Sequence, residues 1–517
     1  MSEQETGTNK WVIALAVMLP ALMEVIDTSV ANVALPSMQG SLNAGTDEVT
    51  WVLTSYMVSN AVVLPITGWL SRMFGRKRFL MTCTVLFTLA SLLCGAAPNL
   101  ATLIFFRVVQ GAAGGALIPI SQAILLESFP KNQQAMGNAI FGVGVMFGPI
   151  IGPALGGWIT DNLSWRWIFY INVPVGIVAL LMVGTFVFDP PYLKRARAQV
   201  DYLGLLFLTV GIGALQIVLD KGQQDDWFSS PFIVGCSVLS VVTLLLMVYV
   251  ELKHPHPIVN LRLFKDVGFS AGNLVMFIAG FGLYGSLMLI PLLLQSMMGY
   301  TATQAGMVLA PGGMATLLLM PAAAVASSKL DGRKIVAAGL IVSAWSMFIY
   351  RGFPLDVAYA DFIGPRVLAG VGMALLFVPL TTLTLGGIKP EQMGDATGLF
   401  SLLRNIGGSV GIAATATMLS RFSQVQQTQM VGQINPYNPV YQQKAQSLAQ
   451  GFAARGLDPV SADRMGLAML YRIVQQQAAI LSCNRIFWVL GIAFLVVLPF
   501  LLLLKRGTPG AGGIAAH

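Results

Sequence analysis

The chain has 517 residues, of which 56% are hydrophobic and only 10% charged, with a mean hydropathy of +0.74 and a formal charge of +8. That composition excludes a water-soluble globule of this length. It also turns the basic balance into a question of where Lys and Arg fall, since nucleic-acid binding has no other support. Apolar runs long enough to cross a hydrocarbon core about 30 Å thick are predicted in chain order. They lie near 11–36, 50–70, 79–97, 101–126, 135–159, 167–188, 202–219 and 231–250, then 269–293, 304–326, 335–353, 361–386, 396–419 and 485–504. Helices satisfy their backbone groups internally, and the short alternating segments of a barrel are missing, so the prediction is an all-α polytopic membrane protein with fourteen spans. The polar start, Met1 to Lys10, runs into the first span without a small-residue cleavage site and reads as a retained anchor. With both termini on the cytoplasmic face, that face collects most of the thirty Lys and Arg, whereas the short outer loops hold only Arg166, Lys221 and Arg351. The positive-inside rule is then met.

The first span contains Glu24 and Asp27, and a carboxylate at bilayer depth costs roughly 2.5–3.5 kcal/mol. Their spacing puts them on one helix face, where two neighbouring carboxylates cannot both ionise cheaply. The pair is therefore a candidate proton carrier, against the plainer reading of acids that only orient helices. The loop from Gly68 to Arg78 combines a helix end, a glycine turn at Gly75 and the four basic residues Arg72, Arg76, Lys77 and Arg78; it reads either as positive-inside anchoring or as a gate between helices. Arg107 lies in the fourth span beside Gln110 and cannot shed its charge, so it needs carboxylates, carbonyls or water inside the bundle. In the fifth span Gly144, Gly148, Gly152 and Gly156 recur every fourth residue, with Pro149, Pro153 and Gly157 among them; small residues at that spacing let backbones approach and the prolines bend the helix. Asn32, Asn60, Gln110 and Arg404 are candidate polar residues of a pathway. Arg366 and Arg404 either face the interior as Arg107 does or snorkel to an interface.

The two halves echo each other. The segment Ser71 to Lys77 matches Ser328 to Lys334 at an offset of 257, and Arg107 to Gly111 matches Arg366 to Gly370 at 259. The reading is two six-helix bundles, 11–190 and 268–505, with a hairpin of 201–252 inserted between them, a short N-terminus at 1–10 and a tail at 506–517. The polar outer segment 421–484 reads as a solvated connector with surface helices, or as a lid or docking surface. The cysteines Cys83, Cys94, Cys236 and Cys483 have no metal spacing and are expected to pack. No phosphate cradle, metal cluster or nucleophile elbow is present, which argues against an enzyme and against ATP as the energy source.

Together these residues resemble the fourteen-span drug:proton antiporters of the major facilitator superfamily. The resemblance rests on Leu19 to Pro36, the Gly68 to Lys77 loop, Arg107 with Gln110 and Gly111, the run Gly144 to Gly157, and Trp165 to Gly176, and it covers nearly the whole chain. It implies a major facilitator fold with Asp27 as the coupling acid and Arg107 assisting proton transfer. It also implies a fifth span that favours exchange, and rocking of two bundles about a central site. One departure stands out: Arg72 occupies the loop position where the superfamily usually has an aspartate. An acid-based latch at that loop is thus in doubt, and with no acid seen inside the last six spans most of the coupling burden falls on the first.

The expected function is proton-coupled export of hydrophobic or amphipathic drugs across a bacterial inner membrane, with no cofactor beyond the proton gradient. By resemblance, a periplasmic adaptor protein and an outer-membrane channel are expected partners, with lipid and small substrates but no nucleic acid. The alternatives are a dedicated transporter of one metabolite, fatty acid or siderophore, and, in another class, a membrane-bound enzyme or scaffold.

Overall fold

Asn9 caps the first helix, its side chain accepting from the Trp11 amide at 3.0 Å, and the apolar run behind it forms an unbroken helix, Lys10–Ser41 (α1). The computed structural model describes residues 9–130, 133–189, 201–254, 257–354, 357–434 and 437–504. Beyond α1 the helices are Trp51–Phe74 (α2), Arg76–Ala96 (α3), Leu100–Ser128 (α4), Gln134–Asn162 (α5), Trp167–Phe186 (α6), Tyr202–Lys221 (α7) and Pro231–Lys253 (α8). They continue with Val267–Met297 (α9), Ala302–Lys329 (α10), Gly332–Tyr350 (α11), Tyr359–Leu385 (α12), Met393–Gln433 (α13), Pro439–Ala453 (α14) and Pro459–Leu503 (α15). Among the described residues twelve helices are long and apolar enough to cross a membrane, and α5 and α13, of 29 and 41 residues, fill the two remaining predicted positions. No strand occurs among the described residues. Residues 1–8 of the predicted N-terminus, the connection 190–200 and the predicted tail 506–517 lie outside them.

Phe87, Leu125 and Phe169 are buried among α1 to α6, and Tyr350, Phe400 and Phe487 among α9 to α13 and α15. Outward-facing Leu181 and Leu245 are each 67% exposed, which suits helices solvated by lipid chains. The inserted hairpin is tied to both halves through α7. Asp220 accepts from Thr54 on α2, Gln216 donates to Ser409 Oγ on α13 at 2.9 Å, and the following Trp227 donates to Thr417 at 3.0 Å.

The expected surface helices of the segment 421–484 are present as α14 and the start of α15, and α13 also runs on to Gln433, because Gln, Ala, Met and Arg are good helix formers whatever their polarity. At about 1.5 Å per residue, the helix α13 is about 60 Å long, twice the hydrocarbon core. The first turn comes before Asn438, whose side chain caps α14 at Val440. The second holds Gly456 at φ +92° and ends on Asp458, which caps α15 at Ser461. Gln427 on α13 donates to the Tyr471 hydroxyl on α15 at 2.7 Å, so the protruding helices brace one another.

Candidate functional site

Asp27 and Arg107 meet in the middle of the first half, 2% and 0% exposed. Arg107 Nη1 donates to Asp27 Oδ2 at 2.6 Å and to Gln110 Oε1 at 2.9 Å, and its Nε donates to the Val52 carbonyl at 3.0 Å. The Tyr56 ring lies 4.1 Å from the guanidinium carbon. The other carboxylate oxygen of Asp27 accepts from Gln110 and from Asn172, both at 2.8 Å, and Asn172 also donates to Ser91. Five helices, α1, α2, α3, α4 and α6, thus converge on one ion pair, which is how a buried charge is made tolerable in low dielectric.

Glu24 leaves α1 toward a different neighbourhood. It accepts from Asn60 on α2 at 2.8 Å, and its Oε2 has no hydrogen-bond partner among the described residues. Glu24 and Asn60 line a central cavity of about 920 Å³ that also takes in Arg404, Met146, Met307 and Phe377. Along α1 the lining runs from Glu24 to Ser37 and along α5 from Val145 to Asn162, so the cavity opens on the face opposite the N-terminus. Arg404 is close enough to act electrostatically on Glu24. The two acids therefore do not share one environment: Asp27 is locked behind the wall and Glu24 forms part of it. Of the other expected pathway residues, Asn60 and Arg404 reach the cavity. Gln110 belongs to the Asp27 cluster, and Asn32 donates to the Thr28 carbonyl of its own helix at 2.9 Å.

The N-terminal face is closed. Gly75, at φ +87°, makes the turn between α2 and α3 that an L side chain would strain. Beside it Arg72 forms an ion pair with Asp395, in the first turn of α13. A Cβ at Gly68 would fall 2.6 Å from Asp395 Cα, so only glycine admits this approach. Arg76 donates to the Pro390 carbonyl at 3.0 Å and pairs with Glu127, and Lys77 Nζ donates to the Gly184 carbonyl at 2.6 Å. The doubt over an acid-based latch is thereby corrected. The acid is present but comes from the second half, with the arginine on the loop. Asp395 begins one residue before the predicted span, which is why no acid was seen there.

Residues 17–412 match the Major Facilitator Superfamily. The chain belongs to that superfamily. Over 488 residues it is 38% identical to the multidrug export protein EmrB of Haemophilus influenzae, with 94% of each chain covered. Over 507 residues it is 37% identical to the fatty acid resistance protein FarB of Neisseria gonorrhoeae, with 97% of each covered. A solved structure of the proton:xylose symporter XylE superposes with a TM-score of 0.61 at 14% identity, covering 95% of each chain, a likeness of fold. This major facilitator protein is a multi-pass membrane protein.

In it, the fifth-span glycines of the superfamily member pack α5 on α1. A Cβ at Gly148 would meet Val25 at 2.6 Å and one at Gly156 would meet Val30 at 2.9 Å, while Gly144 and Gly152 abut Met18 and Ser29. Gly157 is different, since its Cβ would sit 3.9 Å from Val33 and meet nothing closer. The helix is continuous from Gln134 to Asn162, and the side chains of Pro149 and Pro153 lie outside the described set. Sequence reasoning assigned no role to Asn172, Tyr56 or Asp395. Asn172 is a lone amide in an otherwise apolar helix, the one signal that would have singled it out.

Proposed function

We propose that this chain is a proton-coupled antiporter that exports hydrophobic and amphipathic drugs and toxic compounds by alternating access. The carrying observation is the 920 Å³ cavity, walled by Met, Phe and Gly and reached by Glu24 with Asp27 three residues beyond it. Flexible apolar walls suit loose recognition. The multidrug export name of the EmrB relative supports the same activity. In this reading Glu24 exchanges protons with the open cavity. Asp27 with Arg107 forms the pair whose breaking and re-forming accompanies the change of access. The proton gradient is the only energy source. The bodies 11–190 and 268–505 rock against each other, the hairpin 201–252 moves with them, and Gly68, Arg72, Gly75, Arg76 and Lys77 form the cytoplasmic gate.

The protein sits in the bacterial inner membrane with both termini cytoplasmic. The protruding α13–α15 helices, with exposed Tyr437, Val440 and Val460, are the surface we assign to a periplasmic adaptor that leads to an outer-membrane channel. The FarB relative favours a second reading, a dedicated exporter of one fatty acid. In everted vesicles holding a pH gradient, several unrelated amphipathic drugs should each discharge it. Discharge by none of them would overturn the multidrug reading.

A further inference from the structure

Arg107 and Arg366 occupy matching positions in the two halves, 259 residues apart, yet only one has its counter-charge built in. Arg107 has Asp27 at 2.6 Å and Gln110 at 2.9 Å. At the same offset Asp27 corresponds to Ser286 and Gln110 to Ala369. Ser286 turns its hydroxyl to the Leu283 carbonyl at 2.8 Å, so the second half keeps the arginine and lacks both the acid that neutralises its twin and the amide that accepts from it. Arg366 is 7% exposed and its Nε has no hydrogen-bond partner among the described residues. The nearby Tyr350 hydroxyl is committed to the Phe362 carbonyl. A guanidinium cannot neutralise itself by losing a proton, and a buried one without an anion is costly.

Arg366 and Ser286 both line the central cavity, as does Ser343, whose hydroxyl is also unpartnered. Arg404 lines the same cavity, and its Nε also has no hydrogen-bond partner among the described residues. The lining carboxylates are Glu24, which Asn60 engages, and the exposed Asp161 at the mouth. Met307, Leu309, Met347 and Met373 line the same cavity and give it an apolar wall. We infer that Arg366, seconded by Arg404, is an anion site that takes the carboxylate of an amphipathic organic acid whose tail lies on that methionine wall. The ligand supplies the acid that the second half lacks. This rests on the export reading above and names a substrate class for its cavity.

The test is binding to the purified full-length protein in nanodiscs, comparing decanoate, methyl decanoate and decyltrimethylammonium. The wild type should bind decanoate roughly tenfold or more tighter than the ester, the difference expected of a charge-assisted contact. Arg366→Gln should abolish that preference and Arg366→Lys should keep part of it. Ser286→Asp should abolish it too, by restoring the internal acid while leaving the arginine in place. An unchanged acid-to-ester ratio in both Arg366→Gln and Ser286→Asp, or tighter binding of the ammonium, would overturn the inference. Elution as a single species on size exclusion checks each variant's fold, and Ser286→Asp decides if Arg366→Gln does not fold. Everted vesicles separate the two readings. If the ammonium and the ester discharge the gradient while decanoate does not bind, the anion site falls and export stands. If selective decanoate binding is found but neither of the others discharges it, export falls and the site stands.

Discussion

Asp27 and Arg107 are each other's main reason for being tolerated inside the bundle, so the fate of one sets the fate of the other. Asp27→Asn removes the charge and leaves Arg107 buried without a counter-ion, a change that costs roughly 3–5 kcal/mol. A lower melting temperature in detergent should accompany the loss of gradient-driven export. Glu24→Gln should behave differently, because its amide oxygen can still accept from Asn60. Stability should stay within roughly 0.5 kcal/mol while coupling is lost, which thermal melts and transport measured on the same preparation would check. Both acids were legible in the sequence, since an acid at bilayer depth needs a reason. Their division of labour was not, because it depends on which helix each side chain meets across the bundle.

Between helices, the fifth-span glycines make a specific stability prediction. Gly148→Ala drives a methyl group into Val25 and should cost roughly 1–3 kcal/mol, whereas Gly157→Ala meets only ordinary contact and should be near neutral in the same melt. The latch predicts a charge exchange. Arg72→Asp and Asp395→Arg should each lower export, and the double variant should recover much of it, as transport rates in vesicles would show. Hydropathy placed the spans because lipid demands long apolar helices, and twelve such helices occur among the described residues. It did not reveal that α13 continues to Gln433, well past its predicted span, because a Gln-rich helix in water carries no apolar signature. Nor could it reveal the latch acid, which lies just outside an apolar run and is brought to Arg72 by the docking of the two halves.

For the molecule as a whole, the repeat was readable from two matched motifs at nearly equal offsets, and it carried the two-bundle architecture with it. The side on which the cavity opens was not readable. It follows from how the halves tilt, with Arg72, Arg76 and Asp395 closing one face while the lining of α1 and α5 runs to the other. Cysteines placed at Ser37 and Asn162 should therefore label readily from the open face, and labelling should fall when an added substrate shifts the population toward the other state. In the proposed cycle, export runs on proton exchange at the carboxyls of the first helix. Its most direct test is drug-induced discharge of a respiration-driven pH gradient in everted vesicles carrying equal amounts of inserted wild-type, Glu24→Gln or Asp27→Asn protein. The wild type should discharge the gradient and both variants should fail; undiminished discharge by either variant would contradict the claim.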